Sequence, residues 1–121
     1  MKAILLISHW SRFPETEQEV KDFVAQLKEQ SGVPIVEYAF LEIARPSIPE
    51  GVDICIEKGA TEVIILLNFL NAGKHVDEDI PRIIDEARSK YVDVTFTATK
   101  PIGKHEKIVK LFLDMIDNGS W

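Results

Sequence analysis

The chain has 121 residues, of which 45% are apolar and 28% charged, an ordinary globular composition rather than a disordered, collagenous or membrane-embedded one. Twenty acidic against fourteen basic side chains leave a net charge of −6, which repels a phosphate backbone and argues against nucleic acid as the main partner. The single cysteine, Cys55, excludes an internal disulfide and a multi-thiolate zinc site.

No apolar run reaches the roughly 20 residues of a membrane span, and the apolar start at residues 3–7 is too short for a signal-peptide core. A cytoplasmic protein without a membrane partner is therefore expected. With no linker, low-complexity tract or repeat, residues 1–121 are expected to form a single domain.

Ala3 to Ile7 is a continuous apolar run bounded by polar residues, which predicts a strand buried on both faces. Val20, Phe23, Val24 and Leu27 then recur at helical spacing in a segment that starts after Pro14 and stops at Ser31-Gly32. Pro34 to Phe40 reads as a second strand, followed by a helix carrying Ile48, Val52, Cys55 and Ile56 and closed by Gly59. Glu62 to Phe69 holds the strongest buried-strand signal. Its helix carries Ile80, Ile83, Ile84 and Ala87, with Pro81 expected in the first turn. Val92 to Ala98 reads as a fourth, Thr-rich strand, and Ile108, Leu111, Phe112, Met115 and Ile116 mark a last helix ending at Asn118-Gly119.

Four strand-then-helix units predict a small doubly wound α/β domain, a mainly parallel four-stranded sheet with helices on both faces. Ligands of such domains bind beyond the carboxyl ends of the strands, close to where strand order reverses. All three histidines fall in the loops expected there: His9 after the first strand, His75 after the third, His105 after the fourth. If strand order begins 2-1-3, as in flavodoxin-like sheets, His9, Glu42 and His75 converge on one rim. Two imidazoles and a carboxylate can form an open site for a divalent metal, and histidine also suits proton acceptance near neutral pH. Arg12, Arg45, Lys74, Lys100 and Lys104 add positive charge to the same rim, suited to a substrate bearing carboxylates, although solvated loop cations would give the same pattern. Trp10 either packs over the sheet end or offers a flat face to a planar ligand.

Other chemistries lack their motifs. No Gly-rich loop follows the first strand, so neither ATP nor NAD dependence is implied, and Ser8 and Ser11 sit in no nucleophile elbow. Cys55 lies on an apolar helix face as a packed thiol. A response-regulator receiver would need acidic residues after strand one and an aspartate after strand three, where this chain has Ser-His-Trp and Asn-Phe-Leu-Asn.

The loops resemble those of the short, single-domain class II chelatases, the CbiX/SirB-type sirohydrochlorin chelatases. The resemblance rests on Ser8-His9-Trp10-Ser11-Arg12, Phe40-Leu41-Glu42 with Pro46-Ser47, Asn68 through His75 with Glu78-Asp79-Ile80-Pro81, and Ile102-Gly103-Lys104-His105. It covers nearly the whole chain. Ser8 and Trp10 replace the two glycines that flank the first histidine in that family, and Asn68 replaces a proline. The resemblance implies ATP-independent insertion of cobalt, nickel or iron into sirohydrochlorin, with no cofactor beyond that divalent metal. It assigns metal binding and proton acceptance to His9 and His75 and an acidic partner role to Glu42; for such a substrate, Trp10, Ser11, Arg12, Arg45 and Lys74 are the expected contacts on the rim. It further implies a homodimer. The alternative is a catalytically altered paralogue that binds or delivers a metal or tetrapyrrole without inserting it.

Overall fold

A computed structural model of the chain describes residues 1–9, 13–42, 44–71 and 73–119, except for the side chain of His75. Strands β1 (Lys2–Ser8), β2 (Ile35–Phe40), β3 (Glu62–Leu67) and β4 (Thr95–Pro101) alternate with helices α1 (Pro14–Ser31), α2 (Ile48–Glu57), α3 (Lys74–Lys90) and α4 (Ile108–Asn118). The sheet is wholly parallel with order β2-β1-β3-β4, so the order reverses beside β1, as the 2-1-3 expectation required.

Right-handed crossovers send α1 to one face and α2 and α3 to the other. Alternate residues of the central strands divide accordingly. Leu5, Ile7, Val63 and Ile65 bury under Val52 and Cys55 of α2 and Ile80 and Ile84 of α3, whereas Ile4, Leu6 and Val36 meet Val24 of α1. Helix α2 approaches the sheet closely because Gly51 lacks a side chain: a Cβ there would lie 2.9 Å from both Ala39 Cβ and Leu5 Cδ1. Cys55 is fully buried, and desolvation pushes its thiol up to about 12, so it packs as an inert apolar group.

Several sequence expectations need correction. Helix α3 starts at Lys74, behind Gly73 as its N-cap, so His75 belongs to the first helical turn and Pro81 lies inside the helix, removing one bond to the Asp77 carbonyl. Strand β4 begins at Thr95 rather than Val92. Residues 91–94 instead make a turn closed by the Val94 N–H to the Tyr91 carbonyl at 3.1 Å, which leaves Val92 80% exposed. Phe69 has left β3 yet is buried, because the chain turns its ring inward over the sheet end. Helix α4 forms with the expected bounds but buries none of its side chains, and Ile64 and Leu66 on the α1 face of β3 are only half-buried.

Candidate functional site

Strand register builds the site. Ser8 of β1 pairs with Phe40 of β2, and the next residue, Leu41, donates its N–H to the Ser8 carbonyl at 3.0 Å. The loop after β2 then folds back, with the Phe40 N–H bonded to the Pro46 carbonyl at 2.9 Å and a bridge from Phe40 to Ser47. That reversal suspends Glu42 beside His9. The His9 Nδ1 lies 3.2 Å from Glu42 Oε1, with both side chains about half exposed to solvent.

The other side of the imidazole rests on Phe69, edge-on at 4.5 Å between ring centroids and 61° between planes. Phe69 is itself 2% exposed, so a rigid wall backs the ring. Beneath it, Asn68 Nδ2 donates to Ser8 Oγ at 3.1 Å, while the Asn68 N–H donates to the Ile7 carbonyl at 2.9 Å. Ser8 is buried, and this bond gives its hydroxyl a partner. The two residues that depart from the chelatase pattern at these positions therefore complement one another across β1 and β3. Their adjacency was readable from the strand order, since Ile7 pairs with Leu67 and the next residues follow as neighbours.

The remaining site residues divide by location. Lys74 and His75 occupy the first turn of α3 at the carboxyl end of β3, on the rim that carries His9; Lys74 is exposed, and the His75 side chain lies outside the described residues. Trp10, Ser11 and Arg12 also lie outside them. Arg45 is held by Glu50, its Nε donating to the carboxylate at 3.0 and 3.3 Å. Glu50 in turn completes a capping box with Ser47 at the start of α2. The Arg45 guanidinium, and then the Ser47 donors, hold the Glu50 carboxyl down to about 2. Arg45 thus braces the loop carrying Glu42. His105 lies at a turn, where its Nδ1 accepts the Lys107 N–H at 3.0 Å. Among the described residues, no three His, Cys, Asp or Glu side chains gather as a metal cluster.

A carboxylate bonded to Nδ1 fixes an imidazole's orientation, leaving Nε2 to meet a metal ion or a proton. This is the arrangement of a metal-handling histidine. The chain is 33% identical over 115 residues, 95% of its length, to a chloroplastic sirohydrochlorin ferrochelatase of Arabidopsis thaliana, of which it spans 51%. It is 32% identical over 111 residues, 92% of its length, to a sirohydrochlorin cobaltochelatase of Sulfolobus acidocaldarius, of which it spans 86%. The structure of the sirohydrochlorin chelatase SirB from Bacillus subtilis subspecies spizizenii, in complex with cobalt, superposes with a TM-score of 0.82 at 34% identity, covering 97% of this chain and 50% of that one. The chain spans about half or less of the length of several curated relatives. The CbiX family model matches residues 3–118, and with the fold and the loops in agreement over that span, this chain belongs to the CbiX family.

Proposed function

We propose that the chain inserts a divalent metal ion, cobalt, nickel or iron, into sirohydrochlorin or a closely similar tetrapyrrole without ATP. The observation that carries this reading is the His9–Glu42 pair, raised on adjacent strand ends and backed by Phe69. The activities named for the plant and Sulfolobus relatives support the substrate, and the cobalt of the Bacillus structure supports the ion. The absence of a phosphate-binding loop from the sequence agrees with a reaction that needs no nucleotide.

Metallation exchanges two pyrrole protons for one divalent ion. Two N–H bonds break, the ion exchanges bound water for macrocycle nitrogens, and the protons leave through a base to solvent. His9 Nε2 serves as ligand and proton acceptor in turn, while Glu42 holds the ring and balances the charge it gains. His75, on the first turn of α3, shares that task. Lys74 and Arg12 supply charge for the substrate's carboxylates, and Trp10 and Ser11 contribute further contacts to it. The unpaired, buried Cys55 suits a reducing compartment, in keeping with a cytoplasmic protein.

The test is an anaerobic absorbance time course of sirohydrochlorin with Co²⁺, Ni²⁺ or Fe²⁺. The chain should accelerate metallation over the metal-only blank, and a His9→Ala/His75→Ala variant should lose about 10²-fold or more of that acceleration. Equal rates in the two proteins would overturn the assignment. A shifted substrate spectrum without acceleration would identify a tetrapyrrole-binding protein that does not insert the metal.

A further inference from the structure

His9 stands half in water, and so does the carboxylate that holds its Nδ1. A polar contact between two exposed side chains is weak, because water competes for both groups and both side chains give up rotamer freedom. Glu42 alone therefore does little to stop the imidazole from turning. The firmer contact is on the other side of the ring, where buried Phe69 meets it edge-on. Whether that contact forms depends on the offset between the two backbones that carry the rings.

The ladder between β1 and β3 runs to Ile7 and Leu67, and the Asn68 N–H closes it on the Ile7 carbonyl at 2.9 Å. One residue further, side chains take over: Asn68 Nδ2 donates to Ser8 Oγ at 3.1 Å. Ser8 immediately precedes His9, and Asn68 immediately precedes Phe69. Two peptide bonds, one hydrogen bond and one ring contact thus close a circuit through Ser8, His9, Phe69 and Asn68. Of its two non-covalent closures, the hydrogen bond is the one that sets the backbone offset.

The circuit is anchored on both sides. The Ser8 carbonyl accepts the Leu41 N–H at 3.0 Å, which ties it to the strand end leading to Glu42. On the β4 side, Gly103 donates its N–H to the Phe69 carbonyl at 3.0 Å, and the turn packs so tightly that a Cβ on Gly103 would lie 1.7 Å from the Leu70 carbonyl oxygen. Those anchors join backbone atoms. The Ser8–Asn68 bond joins side chains, so it is the link among these that a substitution at either residue removes. Ser8 is 4% exposed, so its side chain takes almost no surface from the rim, and its buried hydroxyl is costly to leave without a partner.

We propose that Asn68 is a positioning residue: its bond to Ser8 sets His9 against the Phe69 ring and thereby aims Nε2 at the metal ion and the pyrrole protons. The role rests on the metal-inserting reading given above, and Asn68 acts through His9. A reacting group misplaced by about 1 Å costs about 10²-fold in rate, so an imidazole that keeps its place only part of the time should cost about tenfold.

The first readout uses the free chain, with neither metal nor tetrapyrrole. In protein carrying isotopically labelled histidine, the His9 ring resonances, assigned by their loss in His9→Ala, should be displaced by the Phe69 ring current, and Phe69→Leu should abolish that displacement. Asn68 is exposed and lies beyond β3, so Asn68→Ala should keep a cooperative thermal melt while losing about half or more of the displacement. Ser8→Ala should lose as much, and the double variant no more than either, because the two residues act as one unit. Asn68→Asp, whose carboxylate accepts from the Ser8 hydroxyl, should restore it.

The second readout is metallation. Asn68→Ala should lower kcat about tenfold and leave the KM for sirohydrochlorin within about twofold, as expected when the proton acceptor is misaimed and the substrate contacts are intact. Unmoved His9 resonances in Asn68→Ala, losses that add in the double variant, or a lost displacement with kcat unchanged would each overturn the proposal. A chain that shows the displacement and its loss yet metallates nothing would support the positioning of His9 and refute the metal-inserting reading.

Discussion

The two faces of the sheet come from the same four strands and yet end in different states. On one, α2 and α3 press Leu5, Ile7, Val63 and Ile65 to zero exposure, and Gly51 lets α2 settle against the Ala39 methyl. On the other, α1 alone covers Ile4, Leu6 and Val36, while Leu66 and Phe23 remain partly in water. The lesson is that strand hydrophobicity reports what a face requires and not what the chain itself supplies. Ile65 and Leu66 are sequence neighbours of equal apolarity, divided only by the helix each does or does not meet.

That division predicts unequal costs of truncation. Ile65→Ala should lower the unfolding free energy by about 2–5 kcal/mol, through lost transfer energy and a cavity that rigid neighbours cannot close. Leu66→Ala should cost about 1 kcal/mol, since only part of its side chain leaves water. Urea titrations giving equal losses would erase the distinction between faces.

A smaller effect sharpens the contrast on the closed face. Gly51→Ala adds a methyl 2.9 Å from Ala39 Cβ and Leu5 Cδ1, so α2 must shift outward at a cost of about 1–3 kcal/mol. The gain of about 1 kcal/mol in helix propensity acts in the opposite direction. A thermally stabilised Gly51→Ala protein would show that α2 is less tightly seated than the geometry indicates.

The smallest effect concerns how the helices begin. Helix α2 opens with the Ser47–Glu50 capping box, whereas α4 has no side-chain cap at Lys107. Glu50 has a folded pKa near 2 against an ordinary 4.5, so its charged form stabilises the native state above pH 4.5, and that contribution fades as pH falls through about 2. Glu50→Gln should therefore be modestly less stable than wild type at neutral pH, with the gap closing between pH 4.5 and 2. A gap that stays constant across that range in acid titrations would remove the charge from the account.

Much of the architecture was legible in the residues. Apolar runs located β1 and β3, Gly32 ended α1 in a left-handed turn as expected, and the alternation of units led to the parallel sheet. Strand order then brought His9 and Glu42 together from positions 33 residues apart. The errors have physical causes. Val92 and Val94 imitate a strand start because alternation does not distinguish an edge strand from a turn, and Pro81 suggested a helix start because nothing in its spacing reveals that α3 tolerates it after two turns. The openness of α4 was illegible because its pattern is that of any amphipathic helix; the pattern specifies a partner surface without saying whose.

The contact between Gly103 and the Leu70 carbonyl constrains how this sequence can drift. It fastens the turn after β4 to the loop that leads into α3, so the two connections form one corner of the molecule. Lengthening either would displace the other, and with it the helical turn that presents His75. The exposed turn at residues 91–94 bears no such tie to the loops at the carboxyl ends of the strands. Insertions in related chains should therefore collect between α3 and β4, while the corner keeps its length and a glycine at its centre.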